Sequence, residues 1–231
     1  MKIRQLFDRQ SSTYTYLVWD ESSREAAIID SVQGQIERDI QLIQELGLEL
    51  RYALETHVHA DHITASGRLR ERLGCKVGVH GRVGSDCPDL KLDDTDRIAL
   101  GAQHLEVLYT PGHTDTDVCF LGEGMVFTGD ILLIHGSGRT DFQSGDAARS
   151  YDSITGRLFT LPEETIVYPA HDYNGFTYST IGEEKRFNPR LGGCRSREEY
   201  IHIMRSLDLD KPKMIDLAVP GNRACGLLRQ G

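Results

Sequence analysis

The sequence has no apolar run that approaches the roughly 20 residues of a membrane span, because charged residues interrupt every hydrophobic segment. Residues 1–6 lack the apolar segment of a secretory signal, and no Arg/Ser-rich transit segment precedes the first predicted strand. Positive charge is also scarce, with 26 Lys and Arg against 35 Asp and Glu. The net charge of −9 argues against nucleic acid and anionic membrane as partners. We expect a cytoplasmic enzyme, with a mature organellar form as the alternative.

Cysteine is sparse, at positions 75, 87, 119, 194 and 225. The number is odd and no two form a CxxC pair, which excludes a thiolate-rich zinc site. We therefore expect free thiols in a reducing compartment and no disulfide framework.

Histidine, in contrast, is concentrated in residues 56–62, Thr-His-Val-His-Ala-Asp-His, just after an apolar segment. Neither helix nor strand packing requires three imidazoles and a carboxylate so close together. Imidazole and carboxylate suit zinc, iron and similar divalent metals, and a short loop can turn several ligands toward one point. This segment predicts a metal site.

Three further potential ligands follow β-rich segments in turn-like contexts: His113 after Thr-Pro-Gly, Asp130 after Phe-Thr-Gly, and His171 after Tyr-Pro-Ala. Any one of them alone would be an ordinary loop residue or helix cap. Four repeats of strand, loop and ligand favour a shared metal centre. The histidines without this pattern are predicted to be surface or packing residues: His80, His104, His135 and His202.

Hydrophobic periodicity predicts two β-rich blocks with helices between them. The predicted strands are 2–7, 13–19, 25–29, 48–54, 76–80, 104–109, 118–121, 125–128 and 165–168, and the predicted helices are 36–46, 61–73, 147–159 and 197–207. The metal segment is then expected at a helix N-terminus, and residues 93–96 in an exposed excursion. The pattern predicts an α/β sandwich with the site along one edge.

The motif His57-x-His59-x-Asp61-His62, followed by His113, Asp130 and His171, resembles the metallo-β-lactamase fold family. The resemblance covers most of the chain in the expected order. It implies an αββα sandwich formed by a single domain over residues 1–231, with a short C-terminal extension. The family includes lactamases, glyoxalase II thioesterases, nucleases, flavoproteins and persulfide dioxygenases.

Flanking segments are similar to persulfide dioxygenases in particular. The similarity is carried by residues 129–143 (Gly-Asp-Ile-Leu-Leu-Ile-His-Gly-Ser-Gly-Arg-Thr-Asp-Phe-Gln), 171–173 (His-Asp-Tyr), 188–191 (Asn-Pro-Arg-Leu), 211–212 (Lys-Pro), 215–216 (Ile-Asp) and 218–220 (Ala-Val-Pro). Ser137 departs from the pattern, since many relatives carry cysteine there. A regulatory role of that cysteine does not transfer to this chain.

The resemblance implies an Fe(II) enzyme, with one iron per monomer, that oxidises glutathione persulfide with O₂ and water to glutathione and sulfite. Its role is then sulfide detoxification or sulfur oxidation, and relatives suggest a homodimer. The family's iron ligands fall on His57, His113 and Asp130, a facial triad that leaves three coordination positions open. The residues implied to surround the triad, orienting ligands and moving protons, are His59, Asp61, His62 and His171.

The same residues leave a hydrolytic alternative open. In hydrolases of the family the full ligand set holds two metals, with Asp130 bridging, and activates water for thioester attack. A glyoxalase II-like hydroxyacylglutathione thioesterase is therefore the second hypothesis, and a non-enzymatic metal- or thiol-binding sensor the third. The choice depends on residues 136–143 and the C-terminal similarity.

Glutathione recognition requires a cation, and Arg139 is the predicted one, since a guanidinium can grip a carboxylate through two hydrogen bonds. A structural ion pair with Asp141 or Asp146 is the alternative. Tyr173 is predicted to offer a hydroxyl, with a packed aromatic role nearly as well supported. Two weaker candidates have structural alternatives, a structural arginine at Arg190 and an ordinary buried thiol at Cys225.

Overall fold

The computed structural model describes residues 1–227 and places twelve strands and six α-helices in them. The strands are β1 (Lys2–Asp8), β2 (Thr13–Trp19), β3 (Glu25–Ile29), β4 (Glu49–Leu54), β5 (Lys76–His80), β6 (Leu90–Leu92), β7 (Arg97–Leu100), β8 (Gln103–Tyr109), β9 (Val118–Gly122), β10 (Met125–Gly129), β11 (Ile166–Pro169) and β12 (Ser179–Thr180). The helices are α1 (Ile36–Glu45), α2 (Ser66–Leu73), α3 (Ala147–Gly156), α4 (Ile181–Phe187), α5 (Arg197–Arg205) and α6 (Ile215–Arg223). In the described range, no helix is long and apolar enough to cross a membrane.

The strands form two six-stranded sheets, and in both of them the spatial order of the strands follows the sequence. The first sheet runs from β1 to β6, antiparallel up to β3 and parallel from β3 onward. The second runs from β7 to β12 and is antiparallel except where β10 meets β11. Each sheet therefore comes from one continuous part of the chain, and residues 93–96 connect them.

Alternation along β2 and β3 explains the layers, because successive side chains of a strand point to opposite faces. Val18 and Ala27 pack between the two sheets, against Phe120 and Phe127 of the second sheet. Leu17 and the other residues of opposite parity pack instead with α1 and α2. The second sheet's outer face is covered in the same way by residues of α3, α4 and α5: Ile154, Ile181 and Tyr200. The predicted αββα sandwich is confirmed.

The predicted helix 61–73 is wrong at its start, since α2 begins only at Ser66. The Asn222 side chain explains the difference: its carbonyl oxygen accepts from Thr64 N at 2.9 Å, and its amide donates to the carbonyls of His59 and His62 at 2.9 and 2.8 Å. A distant residue thus satisfies backbone groups that a helix would otherwise have paired. The metal segment lies in an irregular loop and not at a helix N-terminus.

The expectation of five free thiols is also wrong. Cys87 and Cys225, separated by 138 residues, form a disulfide, and Cys225 is therefore not the ordinary thiol that was considered. Cys75, Cys119 and Cys194 are free. Sequence spacing does not predict this pair, because only the folded chain brings the two segments together.

Candidate metal centre

The predicted ligands lie where strands end. His57 follows β4, His113 follows β8, Asp130 follows β10, and His171 follows β11. The loops after these strands meet at one edge of the sandwich, and ligand atoms of His57, His113 and Asp130 all lie within 4.8 Å of one another. The fold therefore places these residues along one edge of the sandwich, as the sequence predicts.

Hydrogen bonds select the imidazole nitrogens that face the centre. Nδ1 of His113 donates to the Arg139 carbonyl at 2.7 Å, which leaves Nε2 with its lone pair, 3.7 Å from Asp130 Oδ2. Nδ1 of His57 lies 3.0 Å from the Thr56 hydroxyl, which itself donates to Asp30 at 2.8 Å. The hydroxyl oxygen must therefore accept from His57, so Nε2 of His57 is also free to bind a metal.

The charge state of His57 suits a ligand. Burial lowers the pKa of His57 well below its ordinary value, and the neighbouring His59 and His113 lower this pKa further. A neutral imidazole is the form that binds a metal.

Three buried polar atoms at the centre lack a hydrogen-bond partner among residues 1–227: Asp130 Oδ1, His59 Nδ1 and His62 Nε2. Such atoms are rare in folded proteins and call for an ion or water. Two imidazoles and a carboxylate form a donor set that suits Fe(II) or Zn(II). The residues present therefore fit a bound divalent metal.

The remaining predicted residues surround the triad, and three of them form a second group with ligand atoms within 4.8 Å of one another: His59, Asp61 and His62. Asp61 Oδ2 lies 3.0 Å from His62 Nδ1 and 3.5 Å from His171 Nε2. His171 Nε2 lies 3.8 Å from Asp130 Oδ1, and its Nδ1 donates to the Ser12 carbonyl at 3.1 Å. All seven predicted residues thus meet in one place.

Two buried carboxylates under His59 were missed. Nε2 of His59 lies 3.1 Å from Asp30 and 3.3 Å from Glu55. Burial opposes the charged form, but these two carboxylates raise the pKa of His59 well above its ordinary value. Asp30 directly follows β3 and Glu55 directly follows β4, so the rule of strand, loop and ligand could have found both.

The four histidines predicted to be surface or packing residues lie outside the centre. His80 is buried and stacks on Tyr109 at 4.4 Å between ring centroids. His135 is exposed and lies 2.8 Å from Glu183. His104 and His202 are exposed.

A cavity of about 490 Å³ opens over the triad. Beside the metal-site residues, its lining includes Leu133, Ser137, Arg139, Tyr173, Arg190, Leu209, Asp210 and Pro212. The wall formed by residues 209–212 belongs to the C-terminal segment, which sequence reasoning linked to the site only through the resemblance.

Arg139 lines this cavity, and the ion pair considered as its alternative role is present. Its guanidinium makes two hydrogen bonds to Asp141, at 2.7 and 2.8 Å, and donates to the carbonyls of Asp210 and Leu209 at 2.6 and 3.1 Å. These contacts use four of its five N–H groups. Arg139 therefore holds the cavity wall in place.

Arg190, the other cation in the cavity lining, makes fewer hydrogen bonds among residues 1–227 than Arg139. It is half-buried, and the only hydrogen bond from its guanidinium within the described range goes from Nη1 to the Ser137 carbonyl. Burial lowers the pKa of Arg190. Tyr173 stands at the cavity mouth, 73% exposed, with its ring parallel to that of His171.

Comparison with known proteins agrees with this geometry. The model of the metallo-beta-lactamase superfamily matches residues 8–171, and the chain belongs to that superfamily. Within it, the chain is 51% identical over 228 residues to "Persulfide dioxygenase ETHE1, mitochondrial" from Homo sapiens, covering 97% of this chain and 89% of that protein. The crystal structure of ETHE1 from Myxococcus xanthus matches with a TM-score of 0.95 and 55% identity, covering 98% of this chain and 100% of that one. The chain thus belongs to the ETHE1 family, and the predicted resemblance is confirmed.

A hydrolase of the superfamily is also similar, but over less of the chain. The hydroxyacylglutathione hydrolase GloC from Haemophilus influenzae is 35% identical over 198 residues, which cover 76% of this chain and 91% of that protein.

Proposed function

We propose that this protein is a persulfide dioxygenase that oxidises glutathione persulfide with O₂ and water to glutathione and sulfite. The observation that carries the proposal is the extent of the similarity to ETHE1, 51% over 97% of the chain, against 35% over 76% for the hydrolase GloC.

The proposed cofactor is one Fe(II) per chain, held by His57, His113 and Asp130. Bound iron supplies a route for electrons between persulfide sulfur and O₂. The triad supports this role because both histidines donate through Nδ1, which leaves Nε2 to face the centre, and Asp130 presents an unsatisfied oxygen.

His59, Asp61, His62 and His171 are proposed to orient the triad and to move protons. His171 lies between Asp61 and Asp130, at 3.5 and 3.8 Å, where it can hold both carboxylates in place. His59 rests on Asp30 and Glu55, which fix its ring. These contacts support a role beside the iron and outside its ligand set.

Glutathione is proposed to lie in the cavity, with Arg139 and Tyr173 at its rim and Arg190 as the cation for a carboxylate. Most of the N–H groups of Arg190 face no acceptor among residues 1–227, and a guanidinium binds a carboxylate through two parallel hydrogen bonds. This assignment adds Arg190 to the residues that the sequence proposed for binding.

We also propose a homodimer that works in the cytoplasm. The free thiols at Cys75, Cys119 and Cys194 support a reducing compartment, whereas the Cys87–Cys225 disulfide does not. The human relative, in contrast, is named as mitochondrial.

The second candidate function is a hydroxyacylglutathione thioesterase. The grouping of His59, Asp61 and His62 favours it, since this cluster could hold a second metal next to the first.

Oxygen consumption separates the two functions. A dioxygenase must consume O₂ when it receives glutathione persulfide and must release sulfite, whereas a hydrolase needs no oxygen. In an oxygen-electrode assay we expect persulfide-dependent uptake that chelation abolishes and that ferrous iron, but not zinc, restores. S-lactoylglutathione hydrolysis under nitrogen is the control, expected to be slow or absent. Rapid anaerobic hydrolysis without persulfide-dependent uptake would overturn the dioxygenase.

A further inference from the structure

The disulfide partners Cys87 and Cys225 come from distant parts of the chain. Cys87 lies between β5 and β6, and Cys225 follows α6, with their Cα atoms 6.1 Å apart. Cys225 is 2% exposed, whereas Cys87 is partly exposed. A reagent from solution therefore reaches Cys87 first.

Arg70 lies directly beside Cys87. Its guanidinium donates to the Cys87 carbonyl at 2.6 Å and lies 3.6 Å from the sulfur. Asp89 offsets part of this charge, since it pairs with Arg70 at 3.3 Å. A neighbouring cation stabilises a thiolate, the nucleophilic form of cysteine. In the reduced protein, Cys87 is thus the attacking thiol and the buried Cys225 is the thiol that resolves the product.

The disulfide is connected to the loop of residues 56–62, here called the metal loop, through the segment that carries Cys225. The Cys225 carbonyl accepts a hydrogen bond from Gly67 N at 2.9 Å, just beyond that loop. Three residues earlier, Asn222 holds the backbone of His59, His62 and Thr64. A covalent bond at Cys225 therefore restrains the segment that holds the metal loop from outside.

We propose that Cys87 and Cys225 are a redox pair that glutathione persulfide oxidises. The disulfide formed by the substrate then restrains the metal loop. The inference rests on the proposed function, because that function supplies the persulfide.

Two thiol exchanges account for the reaction. The Cys87 thiolate attacks the terminal sulfur of glutathione persulfide, forms a sulfur–sulfur bond with it and releases the glutathione thiolate. The Cys225 thiolate then attacks Sγ of Cys87 and releases the transferred sulfur as HS⁻. Two protein thiols and one glutathione persulfide thus give one disulfide, one glutathione and one H₂S. The two electrons lost by the protein thiols reduce the sulfane sulfur to sulfide. Two further glutathione molecules restore the protein thiols by forming glutathione disulfide.

The test uses the full-length protein, reduced and desalted under nitrogen, so that oxygen chemistry does not run. After incubation with glutathione persulfide, free thiols are counted by alkylation and intact mass, and released sulfide is measured. We expect the number of thiols to fall from five to three, one sulfide per chain, and a cross-linked peptide pair containing Cys87 and Cys225. Five remaining thiols, a lasting persulfide on Cys87 without the cross-link, or thiol loss without sulfide would overturn the proposal.

Matched variants make the test specific. Cys87→Ser should release no sulfide, while Cys194→Ser, at the exposed free cysteine, should behave like the wild type. Persulfide treatment should raise the melting temperature of the wild type by roughly 5–10 °C and leave that of Cys87→Ser unchanged. An equal shift in both proteins contradicts the proposed bridge. Because these readouts need no oxygen, their failure leaves the dioxygenase proposal untouched.

Discussion

At the scale of single residues, the two arginines that line the cavity differ in how many of their N–H groups are already hydrogen-bonded. Arg139 donates hydrogen bonds to Asp141 and to the carbonyls of residues 209 and 210. Within the described range, the guanidinium of Arg190 donates only to the Ser137 carbonyl. A bound carboxylate needs free N–H groups, so Arg190 is the one proposed to bind a glutathione carboxylate. Arg139 is the better support for the cavity wall.

Replacing these arginines should therefore have separable effects. Arg190→Ala should raise KM for glutathione persulfide about tenfold, which corresponds to roughly 1.4 kcal/mol of lost carboxylate pairing, with little change in kcat. Arg139→Ala should lower the free energy of unfolding by about 1 kcal/mol and raise KM indirectly, because residues 209 and 210 lose their contacts. Steady-state kinetics and thermal melts of both variants give the comparison. An unchanged KM in Arg190→Ala would remove this residue from the binding site.

The residues closest to the predicted metal could be identified from the sequence because each one follows a strand within a few positions. His57, His113, Asp130 and His171 share that local context. Asp30 and Glu55 also directly follow strands, but their contact with His59, which separates them from the ligands, depends on how the side chains pack and could not be read from the sequence. Local pattern thus predicts ligands, and packing decides which residues support them.

At the scale of secondary structure, α6 holds the metal loop from outside through Asn222. Asn222→Ala would leave Thr64 N and the carbonyls of His59 and His62 buried without partners. Each such group costs about 1–3 kcal/mol, so we expect a loss of at least roughly 2 kcal/mol in the free energy of unfolding. Urea denaturation measures this loss, and retained iron measures the effect on the site. Asn222→Asp keeps the acceptor for Thr64 N but places a buried carboxylate oxygen against the His59 and His62 carbonyls, so this variant should lose at least as much as Asn222→Ala.

The sequence predicted the long strands well and the short or charged elements poorly. In β2 and β3 successive side chains point to opposite faces and nearly all are buried, so both strands appear in the sequence as runs of apolar and β-forming residues. β6 and β7 were missed because they are short and lie on either side of the charged residues 93–96. α6 contains Pro220, which argues against a helix in sequence, yet packing and the Asn222 contacts keep it in place.

At the scale of the whole molecule, the centre should hold about one iron per chain. Asp130→Ala removes the carboxylate of the triad and should abolish both iron retention and oxygen uptake. His59→Ala should reduce activity more than iron content, because His59 is proposed to lie outside the ligand set. Metal analysis of protein purified without added metal gives the count. Two zinc ions per active chain would contradict the mononuclear assignment and favour the thioesterase.

The division of the molecule into two consecutive sheets has a consequence for assembly. If the chain were cut between β6 and β7, one fragment would carry His57 and the other would carry His113 and Asp130. Neither fragment could complete the proposed triad alone, so metal binding at that triad would require the two fragments to reassociate. In the intact chain, a metal ion bound to this triad would join the two halves, and thermodynamic linkage would add its binding free energy to the stability of their interface.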